Sequence, residues 1–318
     1  QSANLNGGSN NDTFTFADGA TLVGNINGNT GNDTVSYAGN NTAATVNLAN
    51  LLDGSLAVSI ETIIGGNGSD TLVALPGGTA FNVTGPNSGT AAGATFQSFE
   101  NLTGQNGNDS FAFAGGGSLS GAIDGGIGTD TLDFTNSGSA RTVTFNGLGS
   151  ADGLNGTEAL VAGGFRNINS VVGSSVGGDL LIGATLVNGS SVPLNDGTWQ
   201  IGPTRTYSVG GRLVGFSNFE SVQGGDYNDL FTVSGTNTGS LSINLHGGNG
   251  GGLDTFSFLD AATLNGSVTG GDGNDTLTFE SYSTAIGISL TGSTANGFAG
   301  TTSPAGLISG GFSEIDSL

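Results

Sequence analysis

Cysteine, methionine and lysine are absent from this 318-residue chain, and histidine and tryptophan occur once each. Without cysteine there is no disulfide, no thiolate metal site and no thiol nucleophile. With His246 as the sole histidine, no cluster of imidazole ligands can form, and any Ser–His–Asp arrangement would have to use that residue. It stands in HGGNGGGLD, which reads as a glycine turn. The cations are four arginines, Arg141, Arg166, Arg205 and Arg212, against 25 acids, for a net charge of -21. Phosphate neutralisation needs clustered Lys and Arg, so a nucleic-acid interface is excluded and anionic membranes are disfavoured. No apolar run approaches ~18 residues, so no membrane span is read, and no signal peptide is visible at Gln1. Charged residues make up 9% of the chain, against a usual ~25%, so its polar surface is Asn, Ser, Thr and Gly. No window keeps a helical period over three turns, because glycine interrupts nearly every one.

Glycine is abundant: 62 residues, about three times the usual ~7%. It is concentrated in a recurring stretch whose clearest form is GGDGNDTLTF, from Gly270 to Phe279. The first half holds residues that accept positive φ or bond their own backbone. The second half alternates polar and apolar, so Leu277 and Phe279 share one face. Copies start at Gly7, Gly28, Gly65, Gly104, Gly125, Gly224 and Gly247, with a worn one at Gly177. The aspartates before the strand are Asp12, Asp33, Asp70, Asp109, Asp130, Asp179, Asp229, Asp254 and Asp275. Their steps are 21, 37, 39, 21, 49, 50, 25 and 21 residues. A step of 21 suggests one structural turn, and the longer steps suggest two or more with insertions. A second motif, SIETIIGG, SFENLTG, NFESVQGG and FSEIDSL, runs a short strand into several of these turns; FRNINSVVG is a relative with Asn169 where the acid should be.

Short strands at constant spacing, with turns and no helices, select a repeat architecture. A propeller blade needs ~40–45 residues, which a 21-residue step does not fit. The reading is all-β: a right-handed parallel β-helix with coils of about 20 residues and few or no helices. Like side chains stack along it in ladders. The chain begins and stops inside modules, so residues 1–318 are expected to be a single β-helix segment of a longer repetitive chain that continues at both ends. Residues 185–215, with Pro193, Trp199, Pro203, Arg205, Tyr207 and Arg212, depart from the pattern and are expected to be an inserted hairpin or loop.

GGDGNDTLT, GGNGSDTLV and GGIGTDTLD resemble the calcium-binding nonapeptide of RTX proteins, GGxGxDxUx. The resemblance implies calcium held by turn aspartates, although the nonapeptides here stand one per coil rather than in tandem. The calcium candidates are Asp226, Asp229, Asp254, Asp272 and Asp275, since stacked carboxylates repel unless protonated, hydrogen-bonded or bridged by a cation. The competing reading is an Asx-turn, the carboxylate accepting backbone N–H groups at the corner. Glu61, Glu100 and Glu220 read as a ladder of coil-edge contacts without a function. The Gly/Asn/Thr/Ser-rich, lysine-poor units resemble the repeat regions of large secreted bacterial adhesins of the filamentous-haemagglutinin-like, two-partner-secretion type. That resemblance implies a secreted or cell-surface rod or stalk in adhesion or biofilm matrix, whose partner is a bacterial surface or extracellular polysaccharide. No cofactor is required beyond the calcium that the nonapeptide resemblance would supply, and, from charge and hydropathy, no nucleic acid and no membrane insertion are expected. Two alternatives stand beside it. One is a carbohydrate-binding module anchored on Trp199, Tyr207, Arg205 and Arg212. The other is a polysaccharide-active β-helix enzyme using paired carboxylates; the non-enzymatic reading is preferred, because scaffolds are built by reiteration and active sites are not.

Overall fold

The structure is a computed structural model that describes residues 4–20, 22–51, 59–184, 197–237, 242–304 and 306–318. The chain divides into two compact units. The first is residues 1–138 with 150–152 and 157–169; the second is residues 139–149 and 153–156 with 170–318. Each is a parallel β-helix, and among the described residues the helical elements amount to one short 3-10 turn, Leu48–Leu51.

In the first unit the chain alternates between two sheets. One holds Thr13–Thr15, Thr34–Ser36, Thr62–Ile64, Ala94–Gln97, Ser88–Ala91, Ala80–Gly85, Ser110–Ala114 and Thr131–Asn136, in that spatial order. The other holds Thr45–Asn47, Thr71–Val73, Asn101–Thr103, Ile123–Asp124 and Val161–Ile168. Parallel pairing is in register, so apolar residues stack on apolar residues: Val46 on Leu72, Leu102, Ile123 and Phe165. Phe81, Phe111 and Leu132 form another such column, with the two Phe rings stacked at 5.1 Å. A one-residue slip would turn every one of these side chains to the other face, so burial fixes the register.

The second unit repeats the plan. Its first sheet runs Ser170–Val172, Arg212–Ser217, Thr206–Val209, Thr198–Ile201, Leu230–Val233, Thr255–Phe258 and Thr276–Thr278. Its second runs Thr142–Leu148, Leu180–Ile182, Ser221–Gln223, Asn244–Gly248, Val268–Gly271, Phe312–Ile315, Gly297–Ser303 and Gly287–Thr294. The column Val143, Leu181, Val222, Leu245, Val268 and Phe312 lines the interior.

The irregular steps have a structural cause. Between Asp70 and Asp109 the chain folds back through Ala80–Gly85, Ser88–Ala91 and Ala94–Gln97, paired antiparallel. Between Asp179 and Asp229 it does the same through Thr198–Ile201, Thr206–Val209 and Arg212–Ser217. The stretch expected at 185–215 as an inserted hairpin or loop is thus, where described, an antiparallel fold-back built into the coil sheet. Its strands are members of the coil sheet, pairing with Leu230–Val233 on one side and Ser170–Val172 on the other. Residues 185–196 lie outside the described residues.

Candidate functional site

The acidic corners are the feature that repeats. Asp12 donates its backbone N–H to Asp33 Oδ1, and Asp33 donates its own to Glu61 Oε2. Thr79, Asp109, Asp130 and Asn169 form the same chain of bonds, each N–H reaching the side chain one coil on. In the second unit the series is Asp229, Asp254, Asp275 and Asp316. These bonds measure 2.6–3.1 Å. The return bond is made by the backbone: the residue after each acid donates its N–H to the carbonyl of the previous aspartate, as in Thr34 to Asp12, Thr131 to Asp109 and Thr276 to Asp254. Each aspartate is therefore clamped through both its N–H and its C=O to the following coil. A backbone N–H bonded to a charged acceptor contributes about 1.5–3 kcal/mol.

The nine aspartates do not form one column. Asp70 and Asp179 precede strands of the second sheet in each unit, and the other seven precede strands of the first. At the second-sheet corner, Ala44 donates to Asp70 and Asp70 to Glu100; Arg141 donates to Asp179 and Asp179 to Glu220. Glu61, Glu100 and Glu220, read above as coil-edge contacts, thus occupy the acceptor position, taking the backbone N–H of Asp33, Asp70 and Asp179. Asn169 does the same work as an amide acceptor. In FSEIDSL the acceptor is Asp316, not Glu314. Two residues before four of these acceptors the backbone has positive φ: Ser98 (56°), Asn167 (56°), Asn218 (58°) and Glu314 (56°).

The glycine five residues before most of these aspartates is set by the carboxylate. A Cβ at Gly7, Gly28, Gly104, Gly125, Gly224 or Gly270 would overlap Oδ2 of Asp12, Asp33, Asp109, Asp130, Asp229 or Asp275 and a carbonyl oxygen of the next coil. Gly247 stands in the same relation to Asp254, seven residues on. The second carboxylate oxygen is thus packed over a bare α-carbon. For Asp229 it accepts the Gly225 N–H at 2.7 Å, and for Asp179 the Ser174 hydroxyl at 2.8 Å. Oδ2 of Asp12, Asp33, Asp109, Asp130 and Asp275 is buried with no hydrogen-bond partner. The electrostatics follow: burial first, then the Asp130 charge, pushes Asp109 up to about 7. Burial, opposed by the Asp109 N–H and reinforced by Asp152 and Asp124, pushes Asp130 up to about 6. Asp254 is pushed up to about 7 by burial and by Asp275, and Asp275 is raised mainly by burial.

The five calcium candidates are divided by this geometry. Asp229, Asp254 and Asp275 stack as a buried column in which Oδ1 of Asp254 accepts the Asp229 N–H, Oδ1 of Asp275 the Asp254 N–H, and Oδ2 of Asp229 the Gly225 N–H. Asp226 and Asp272 lie exposed beside it, and Asp272 accepts the Asn296 amide at 2.9 Å. Among the described residues no three Asp, Glu or His side chains converge as a metal site requires.

The proposed glycan anchor is corrected by burial. Trp199 and Tyr207 are fully enclosed, so neither ring presents a face to a sugar. Trp199 stacks on Phe231 at 5.7 Å, Phe231 on Phe256 at 4.8 Å, and Tyr207 on Phe145 at 5.6 Å. The Tyr207 hydroxyl accepts the Ala184 N–H, and burial raises its pKa. Arg205 is half-buried, and desolvation lowers its pKa; half-buried Arg212 donates to the Gly149 carbonyl at 3.3 Å. TWQI and TYSV alternate with period 2, and the face that carries Trp199 and Tyr207 is the one turned inward. His246 is likewise a strand residue in Asn244–Gly248, not a turn residue; desolvation lowers its pKa.

No protein-family model matches this chain, and comparison with curated proteins gives no match either.

Proposed function

We propose that this chain is a structural rod or stalk segment of an extracellular bacterial adhesin or biofilm matrix protein, whose task is to hold other parts at a distance. The observation that carries this reading is the use made of the repeated acids. Each motif aspartate is committed to clamping its own coil to the next, and the unusual aromatics are committed to the core. A chain whose distinctive side chains all serve coil-to-coil cohesion is suited to length and stiffness rather than to turnover. The acidity and the Asn/Thr/Ser surface suit a secreted, cell-surface setting in which the rod carries cells toward a surface or an extracellular polysaccharide.

The test is a spacer assay. The chain is placed on a cell surface between an anchor and a known binding tip, and tip-dependent adhesion is measured against a copy lacking residues 254–274, one 21-residue step. Folding and adhesion are expected to survive loss of the coil. Purified chain that binds a polysaccharide array on its own, or releases sugar from an acidic polysaccharide, overturns the reading in favour of a binding module or an enzyme.

A further inference from the structure

The outermost strand of the second unit's second sheet is Gly287–Thr294, GISLTGST. It pairs antiparallel with Gly297–Ser303 on its inner side, and among the described residues no strand pairs with its outer side. All eight of its residues are exposed. Proteins blunt such an edge with lysine, proline or inward-pointing charge, because its free N–H and C=O groups template further pairing. This edge has none of them.

Its faces differ. Ile288 lies opposite Thr302 and Leu290 opposite Gly300, and both of those partners are buried. Directly opposed residues share a face, so Ile288 and Leu290 continue the interior side of the sheet beyond the last covered strand. They are 38% and 54% exposed, and Phe298, on the same side, is 44% exposed. An uncovered apolar interior face beside an unpaired edge fits another β-strand that brings apolar side chains of its own.

We propose that Gly287–Thr294 is a self-docking edge, at which two copies of this chain pair these strands antiparallel about a twofold axis through Ser289. The strand is self-complementary in that register. Ile288 of each copy faces Leu290 of the other, Ser289 faces Ser289, and Gly287 faces Thr291, so the two exposed apolar pairs cover one another. Charge selects the same place. A molecule of net charge -21 repels its own copies, and this strand is free of ionisable groups. The hairpin turn, Ala295 and Asn296, is likewise free of ionisable groups, and Asn296 donates its amide to Asp272, which precedes the hairpin. A twofold interface of this kind is closed, so it gives dimers rather than fibres.

The absence of native cysteine makes the test direct. Opposed residues of an antiparallel pair have Cα atoms about 4.5–5.5 Å apart, within disulfide range. In the full chain, Ser289→Cys is expected to form a crosslinked dimer under mild oxidation on the order of tenfold or more faster than Ser293→Cys. The off-axis residue is displaced from its own copy by about 27 Å along the paired strands. Sedimentation of the cysteine-free chain is expected to show a concentration-dependent dimer, which Leu290→Lys abolishes while leaving thermal unfolding unchanged, since that side chain is exposed. A chain that stays monomeric at all concentrations, equal crosslinking at the two cysteines, or an undiminished dimer in Leu290→Lys would each overturn the proposal.

Discussion

Asp254→Asn should remove a pH dependence that runs against the usual direction. Asp254 is 2% exposed; its Oδ1 accepts the Asp229 N–H at 2.7 Å, and its own N–H is given to Asp275 Oδ1 at 2.9 Å. Burial and the neighbouring Asp275 raise its pKa from an ordinary 3.8 to about 7. The folded state therefore holds a proton that the unfolded state has released throughout that window. Stability changes with pH as 2.303RT times the protons bound unfolded minus those bound folded, so it falls as pH rises from about 4 to about 7 and is flat above. Three units correspond to about 4 kcal/mol at most. Between pH 5 and pH 8 about two of those units are crossed, about 2.7 kcal/mol, or roughly 5–11 °C of melting temperature for a unit of this size. Asparagine keeps an oxygen for the Asp229 N–H and cannot titrate. The assay is thermal unfolding of wild type and Asp254→Asn at pH 5 and pH 8. Wild type should melt higher at pH 5, and the variant should lose much of that difference. Comparing the two proteins at both pH values cancels the general relief of repulsion in a chain of net charge -21. A variant with the full wild-type pH dependence, or a wild type that melts higher at pH 8, would refute the argument.

Gly125→Ala should destabilise the first unit by about 1–3 kcal/mol or more, because a Cβ there overlaps Asp130 Oδ2 and the Asn167 carbonyl; Gly115→Ala, with open space around it, should be near neutral in the same urea titration. Asn169→Ala should cost about 1–3 kcal/mol by leaving the Asp130 N–H without its acceptor, and Asn169→Asp should restore only part of it, because the carboxylate keeps that acceptor but puts a like charge where the amide donates to Asp152. Trp199→Ala should cost about 3–5 kcal/mol, and wild-type tryptophan fluorescence should be unaffected by iodide or added saccharides, as a fully enclosed indole requires. Millimolar calcium should raise the melting temperature no more than magnesium does. A calcium-specific rise would mean that the Asp229, Asp254 and Asp275 corners open to bind metal rather than staying bonded to peptide N–H groups.

The sequence by itself determined the class of fold and the length of a coil. A glycine turn followed by an alternating strand is a local signal, and the 21-residue steps between Asp12 and Asp33, Asp109 and Asp130, and Asp254 and Asp275 are each one coil, joined by a direct hydrogen bond. The Asx-type role of the acids was legible in kind, because Asp among Gly and Asn accepts backbone N–H groups. It was not legible in range: the bonds run between coils 21 or more residues apart, not within one turn. Only the tertiary structure separated Asp70 and Asp179 from the other aspartates, since which sheet follows a corner depends on the path of the chain and not on the motif. Only it gave Glu61, Glu100, Glu220 and Asn169 their common position, because equivalence there is spatial and the spacing in sequence is irregular. It also moved Trp199 and Tyr207 from surface to core. Alternation says that two sets of side chains face opposite ways, but which set is inside is decided by what packs against the strand.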